Sequence, residues 1–543
     1  MGDRFSAFRE AVRGEPVDVV FGDSMTEFVD SMVAARFLTE PEKIHRFSSP
    51  LFPQQLLPEL EEVAARRIKV VTNAGVHNPQ ELAHKISDAV RERGLDLRVA
   101  HVTGDDLRGD AERLIAAGQL TNMDTGEPLS RSPRELLAVN AYLGGWGVKS
   151  ALDAGADIVI TGRVADASLT SGAAAWWHGW QRDAFDRLAG AVAAGHVIEC
   201  GAQATGGNFS GFTAIQDNVQ PGFPIAEIAE DGGSVITKRA AEGGAVTVDT
   251  VTAQLLYEIQ GPRYLNPDVV WHTDSVSVSA DGPDRVRLTG AKGSPPPGTT
   301  RVGVNFQNGY RGSMWYFPTG LQTDEKVAVL SRQAEIAARD NDVTEMHLFP
   351  CGRPAEDPAN QWQATVPVLV VVAAPAAEQV DGFLTQLNSF WLNSFPGFYL
   401  DITRIYTNTP QPRIEYWPAL VRQDELKHQV HMDDGTGWDI PPPPCTEPFA
   451  GQPSGHRTAP GTLDAFGPTV RRPLGDLVHA RVGDKASNAD LGVWVSEDAA
   501  YPWLAAYLTT DRLRALLATP ASMTIERYEL PNLRGLCFVL RDY

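Results

Sequence analysis

The sequence predicts an α/β protein in three parts: a largely parallel sheet, an α+β region, and a small α/β sandwich at the end. Three observations carry this reading. Short, near-continuous apolar runs at 17–21, 68–71, 97–102, 158–161 and 196–198 alternate with helical patterns. Each ends in a polar turn, as expected of parallel strands buried on both faces. From Asp274 the chain alternates polar and apolar residues with period two, the pattern of antiparallel strands. Residues 434–473 are dense in Pro and Gly, and four further β-rich runs with one helical stretch follow. The units are therefore a parallel α/β domain over 1–260, an α+β region over 261–433, a linker over 434–473 and a terminal domain over 474–543.

The elements follow in order. The run 17–21 stops at Gly22-Asp23-Ser24, and a helical pattern carries Phe28, Met32, Val33 and Phe37. The run 68–71 ends in Thr72-Asn73-Ala74-Gly75; Asn78 suits an N-cap and Pro79 the first position of a helix over 80–93. The run 97–102 ends in Thr103-Gly104-Asp105-Asp106, and 140–154 reads as helix. After 158–161 comes Gly162-Arg163-Val164-Ala165-Asp166, then a helical stretch with Trp176, Trp177 and Trp180. The run 196–198 leads into Glu199-Cys200-Gly201 and Thr205-Gly206-Gly207-Asn208. Further on, a hairpin turns at Asp281-Gly282, strands lie at 300–306, 313–317 and 368–374, and helices at 324–339 and through Phe383 and Leu387. The terminal strands are expected at 477–481, 491–495, 524–529 and 536–540, with a helix near 503–517.

Composition narrows the function. A chain of 543 residues exceeds one ordinary core. A formal net charge of −21 argues against a non-specific nucleic-acid or anionic-membrane surface. No apolar run reaches the roughly 20 residues of a membrane span, and MGDRFSAFRE has no apolar signal core, so a cytoplasmic location is expected. Cys200, Cys351, Cys445 and Cys537 are far apart and form no CxxC pair, which argues against structural zinc or a disulfide framework. GxxxxGK[ST], HExxH and GxSxG are absent, which disfavours nucleotide hydrolysis, zincin proteolysis and α/β-hydrolase chemistry.

In a parallel sheet, ligands bind at the carboxyl ends of the strands. The turns place Asp23, Glu27, Asn73, Asp105, Asp106, Arg163, Asp166, Glu199, Gln203 and Asn208 on that edge. Asp105, Asp166 or Glu199 would move a proton, and Arg163 with the backbone of 206–208 would steady an oxyanion. Asn73, Gly206, Gly207, Asn208 and Lys485 are the candidates for gripping a ligand or cofactor, whose identity the sequence leaves open. Turn and cap formation explains many of the same Asp, Asn and Gly residues, and Cys200 reads as a buried, inert thiol. A carboxylate-bound metal and a non-catalytic subunit that organises other enzymes are the alternatives. A homo-oligomer is expected.

These turns also carry a family resemblance. TNAGVHNP, NAYLGGWGVKSALDAGADIVITGRVADASL, GHVIECGAQATGGNF, QLLYEIQGPRYLNPDVV and TGAKGSPPPGTTRVGV resemble the acyclic terpene utilisation AtuA family. LGDLVHARVGDKASNADLGVWV with ERYELPNLRGLCFVL resembles the small ferredoxin-like domain often fused behind it. The resemblance implies work on an acyl-CoA or related branched carboxylate, with hydratase or lyase chemistry as the expected reaction type, and supplies no catalytic residues. Family members begin with an extra strand and a glycine-rich turn ending in a GDR-like sequence. This chain starts at Met1-Gly2-Asp3-Arg4, so the expectation is a sheet without that strand, its ligand lost or the strand borrowed from another chain. The terminal loop, HARSGDKG in the family, here has Val482 and Ala486. Ala486 resists a positive φ, which puts the loop's geometry in question.

Overall fold

The β-branched runs Val19–Gly22, Lys69–Thr72, Ile158–Thr161 and Val99–Thr103 are neighbouring parallel strands, in that spatial order. The computed structural model describes residues 4–40, 49, 51–132, 135–405, 408–453, 467–468 and 470–543. Met1, Gly2 and Asp3, and the centre of the Pro/Gly-rich stretch at 454–466, lie outside the described residues. Alternate strand residues feed two cores, as period two requires. Val70, Ile158 and Ile160 pack on the side of helix Pro79–Glu92, while Val71, Val159 and Val102 pack on the side of helix Trp146–Asp153. Asn78 caps the former helix by accepting from the Glu81 N–H (3.1 Å), with Pro79 at its first position.

The sheet has two more strands. Gln429–Met432 pairs antiparallel with Val99–Thr103, and Gly437–Asp439 pairs with Gln429–Met432. The start of the Pro/Gly-rich stretch is therefore an edge strand of the first sheet. At the other edge, Val19–Gly22 pairs only with Lys69–Thr72 among the described residues.

Two expected elements differ. The run 196–198 is not a strand; it ends the helix Phe185–Ile198. That helix is buried almost all round, and continuous apolarity does not separate a buried strand from a buried helix. Gly190 within it faces the Gly232 carbonyl so closely that a Cβ would collide. The stretch 140–154 is helical only over Trp146–Asp153; Asn140 belongs to the strand Leu136–Ala141, which pairs with the long strand Thr299–Tyr316 of another sheet. The two strands expected at 300–306 and 313–317 are this one strand, carried past a register shift between Gln307 and Tyr310. It also pairs with Val368–Ala374 and Gln411–Arg422, and helices Thr323–Asp340 and Ala377–Ser389 cover that end.

The terminal part is a four-stranded antiparallel sheet in the order His479–Lys485, Asn488–Trp494, Gly535–Leu540, Ile525–Leu530. One face packs on Leu504 of helix Tyr501–Tyr507, Leu513 of helix Thr510–Leu517 and Leu508 between them. The other face merges with the main body: Trp494, Leu530, Cys537 and Val539 share one core with Leu255, Leu256 and Ile259. Full burial of such side chains contributes about 1.5–3 kcal/mol each. The hairpin at 485–488 keeps its turn despite Ala486, which adopts φ +55. No helix among the described residues is long and apolar enough to cross a membrane.

Candidate functional site

The turns after the four parallel strands meet at the carboxyl edge of the first sheet. After Val19–Gly22, Asp23 Oδ1 accepts from the Met25 N–H (3.0 Å) and from Asn73 Nδ2 (2.6 Å). Asn73 Oδ1 accepts in turn from the Ser24 N–H (2.6 Å). Asn73 is fully buried and clamps one turn to the next. After Ile158–Thr161, Gly162 lets the chain pass against the Asp105 carboxylate, where a Cβ would clash. The Arg163 N–H and Asn140 Nδ2 both donate to Asp105 Oδ2 (2.8 and 2.9 Å). Burial raises the Asp105 carboxyl to about 6.

Arg163 extends from this turn into the site. Its Nη1 donates to the Met25 carbonyl (2.9 Å) and to Asp166 Oδ1 (2.8 Å), and its guanidinium lies 4.0 Å from the centre of the Tyr142 ring. Arg301 stacks on the other side of the cluster, 5.4 Å from the Tyr142 ring, and pairs with Glu27 (2.6 Å). Glu27 stands in the first turn of helix Glu27–Thr39, which Thr26 caps by accepting from the Val29 N–H. The third cation comes from the terminal domain. Lys485 pairs with Glu258, while the Ala486 N–H donates to Glu27 Oε2 (2.7 Å). Burial alone would lower the Lys485 ammonium, but Glu258, Asp166 and Glu27 outweigh it and hold it well above its usual range.

Glu199 enters from the end of helix Phe185–Ile198 rather than from a strand. Its side chain is 4% exposed. Burial lifts its carboxyl to about 7; His196 offsets part of this, and Asp166 and Asp23 add to it. A helix C-terminus disfavours a carboxylate in the same direction. His196 Nε2 lies 3.0 Å from the Tyr257 carbonyl and must carry a hydrogen there. Its Nδ1 faces Glu199 Oε1 at 3.2 Å, and although burial works against the charged imidazole, the Glu199 carboxylate holds it above its ordinary range. Burial also raises Asp23, to about 6, with Asp166 adding to the effect. Among the described residues, Asp23 and Glu199 form no ion pair with Lys or Arg. Both line a cavity of about 410 Å³ whose walls are mostly apolar, with Phe8, Phe21, Trp177 and Ile198 among them, and also include His178 and Arg239.

Of the residues expected at the site, Arg163, Asp166, Glu199 and Lys485 come together, with Asn73 beneath them. Carboxylate oxygens of Asp166, Glu199 and Glu258 lie within 4.8 Å of one another, a spacing that would suit a divalent cation; the Lys485 ammonium on Glu258 supplies positive charge there. Asp105 sits under the Arg163 turn with its Oδ2 already accepting twice. Gly206, Gly207 and Asn208 do not form an anion cradle. The Gly206 and Gly207 N–H groups close a 3₁₀ turn onto the Gln203 and Ala202 carbonyls, and the Asn208 carbonyl accepts from Arg481. Cys200 is half-buried, and burial with nearby Glu199 pushes its thiol far up, so it is inert. Glu258, Arg301 and Tyr142 stand outside the polar turns from which the sequence predicts the site, and His196 lies within the apolar run, where its neighbour is Glu199 rather than Cys200. Glu258 has a positive φ (+55) and follows the helix Val248–Leu255 within YEIQGPRY, where Gly261-Pro262 is the sequence signal of a loop.

Fold and site define a two-part α/β protein in which a small terminal sandwich completes a carboxylate-rich pocket beside an apolar cavity. A family model described as acyclic terpene utilisation family protein AtuA matches residues 1–432, and that of the AtuA ferredoxin-like domain matches 472–543. The chain belongs to the acyclic terpene utilisation AtuA family. No curated protein and no solved structure matches it.

Proposed function

We propose that this protein is a proton-transfer enzyme of hydratase or lyase type, acting on an acyl or carbonyl compound with an apolar tail. The observation that carries this reading is the position of Asp23 and Glu199. They are two carboxyls without a Lys or Arg partner, raised to about 6 and about 7, at the polar end of an apolar cavity. Groups tuned to such values and placed apart suit acid–base work near neutral pH. Between pH 6 and 7 Asp23 is ionised while the His196–Glu199 pair still holds its proton. In hydration, Asp23 takes a proton from water as its oxygen joins the β-carbon of an unsaturated acyl compound. The Glu199 side then delivers a proton to the α-carbon. In elimination the same groups exchange roles. Arg163 and Lys485 hold the surrounding carboxylates in place, and the cavity takes the tail.

Hydration of 2-octenoyl thioesters, followed by NMR, tests this without knowledge of the natural substrate. The rate is expected to follow a bell-shaped pH profile with limbs near 6 and 7. Asp23→Asn should remove the acid limb and Glu199→Gln the alkaline one, each with a loss of about 10²–10⁴-fold. A hydration rate unchanged in both variants would overturn the assignment.

A further inference from the structure

The sheet that holds the long strand Thr299–Tyr316 has one edge at the strand Glu345–Pro350. This edge strand pairs with Val368–Ala374 on one side and, among the described residues, with no strand on the other. Period two divides its side chains. Met346 and Leu348 pack towards the core beneath helices Thr323–Asp340 and Ala377–Ser389. His347 and Phe349 lie on the opposite face, where their rings stack with centres 5.9 Å apart. Phe349 is 50% exposed. Beside it Leu369 and then Trp315 continue an apolar row that is only half-buried. The loop that joins the edge strand to Val368–Ala374 carries Trp362, 85% exposed.

An edge strand is a template for another strand, and proteins usually guard it with charge, proline or shortness. Most other edges of this molecule have such guards. Gly437–Asp439 is three residues long, Pro224–Ile228 opens on Pro224 and carries Glu227, and the two edges of the terminal sheet carry Arg481 and Arg527. Val19–Gly22 faces the cavity. The stretch 346–349, by contrast, contains no Asp, Glu, Lys or Arg. Glu345, just before it, is already paired with Arg413 (2.6 Å). Charge then selects the occupant. With a formal net charge of −21 on each chain, two copies repel over most of their surfaces, and an uncharged edge is where they can meet.

We infer that the strand Glu345–Pro350 pairs antiparallel with the same strand of a second copy, about a two-fold axis at Leu348, and joins two sheets into one. In this register each His347 lies opposite the partner's Phe349 and each Met346 opposite the partner's Pro350, so opposed side chains share a face. No like charges oppose each other across it. Moving the axis to His347 would instead set Glu345 against the partner's Phe349 and the two imidazoles against each other. The contact is isologous, so it closes on itself and leaves no edge for a third copy. It is independent of the proposed chemistry, because Arg301 stands at the other end of the long strand from the residues that pair with Val368–Ala374.

Sedimentation velocity of the full chain, run over a range of concentrations, tests this. The unaltered protein is expected to sediment as a dimer. Phe349→Lys should weaken the association at least about tenfold. Leu516→Lys adds the same charge at an exposed apolar residue of the terminal domain and should leave the association unchanged. Leu348→Cys, in a chain whose exposed Cys351 and Cys445 are replaced by Ser, should cross-link two copies under mild oxidation, since residues opposed across an antiparallel pair lie within disulfide reach. A chain that stays monomeric at every concentration would overturn the inference and leave this edge to a strand of another protein. A dimer that Phe349→Lys leaves intact, or that Leu348→Cys fails to cross-link, would put the second copy on another surface or in another register and overturn it as well.

Discussion

Glu199 and Asp23 illustrate how the burial that raises a carboxyl also weakens the fold. Their carboxyls stand at about 7 and about 6 in the folded chain, against ordinary values of 4.5 and 3.8. The folded state therefore binds these protons more tightly than the unfolded state does. The stability they contribute is full below about pH 4 and is lost as the pH rises through 6 and 7. Denaturant melts should show stability falling over that window by at most a few kcal/mol, about 3 for Glu199 alone. Glu199→Gln and Asp23→Asn should each flatten the decline. Lys485 is the opposite case. Lys485→Met leaves Glu258 unpaired in a site only 17% exposed at that side chain and is expected to cost about 2–3 kcal/mol. Adding Glu258→Gln should recover part of the loss, which a double-mutant cycle in denaturant would measure.

At the scale of elements, what the sequence disclosed depended on how local the cause was. The four parallel strands were legible because β-branched runs ending in polar turns have few other uses. Arg163 and Asp166 are legible because they stand in the turn after one of those strands, whereas Glu199 is reached through an apolar run that is a helix end and not a strand. The helix Phe185–Ile198 was misjudged at its end because it has no polar face to mark its period. The strands Gln429–Met432 and Gly437–Asp439 were not assigned to the first sheet because their partner, Val99–Thr103, is more than three hundred residues earlier. Arg301 and Tyr142 belong to no turn motif, and only the pairing of their strands brings them to the site. The hairpin at Ala486 shows local preference yielding to tertiary contact. The left-handed conformation costs an Ala about 1–2 kcal/mol, yet the turn holds because its N–H reaches Glu27 and the preceding Lys485 reaches Glu258. Ala486→Gly relieves that strain and should raise stability by about 0.5–1 kcal/mol after the entropy of Gly is counted, as read from denaturant melts.

Across the whole molecule, the two family-matched regions behave as one body. Trp494 Nε1 donates to Asp249 (3.0 Å), Cys537 donates to the Ile259 carbonyl (2.9 Å), and the core around Trp494 and Leu256 crosses the boundary. Calorimetry is therefore expected to show the terminal sheet melting together with the core that holds Val251 and Leu256, in one transition. Two well-separated transitions, with the terminal one at lower temperature, would show that the shared core contributes little. The joint also bears on how the protein is made. Asp23, Arg163, Glu199, Glu258, Arg301 and Lys485 are distributed along nearly the whole chain, and Lys485 leaves the ribosome long after the sheet that it completes. Domains near the N-terminus fold first during synthesis, so the nascent first sheet must wait with Glu27 and Glu258 lacking their hairpin partners. A chain released early would carry Glu258 without Lys485, which makes completion of this cluster one of the last events in the folding of each new copy.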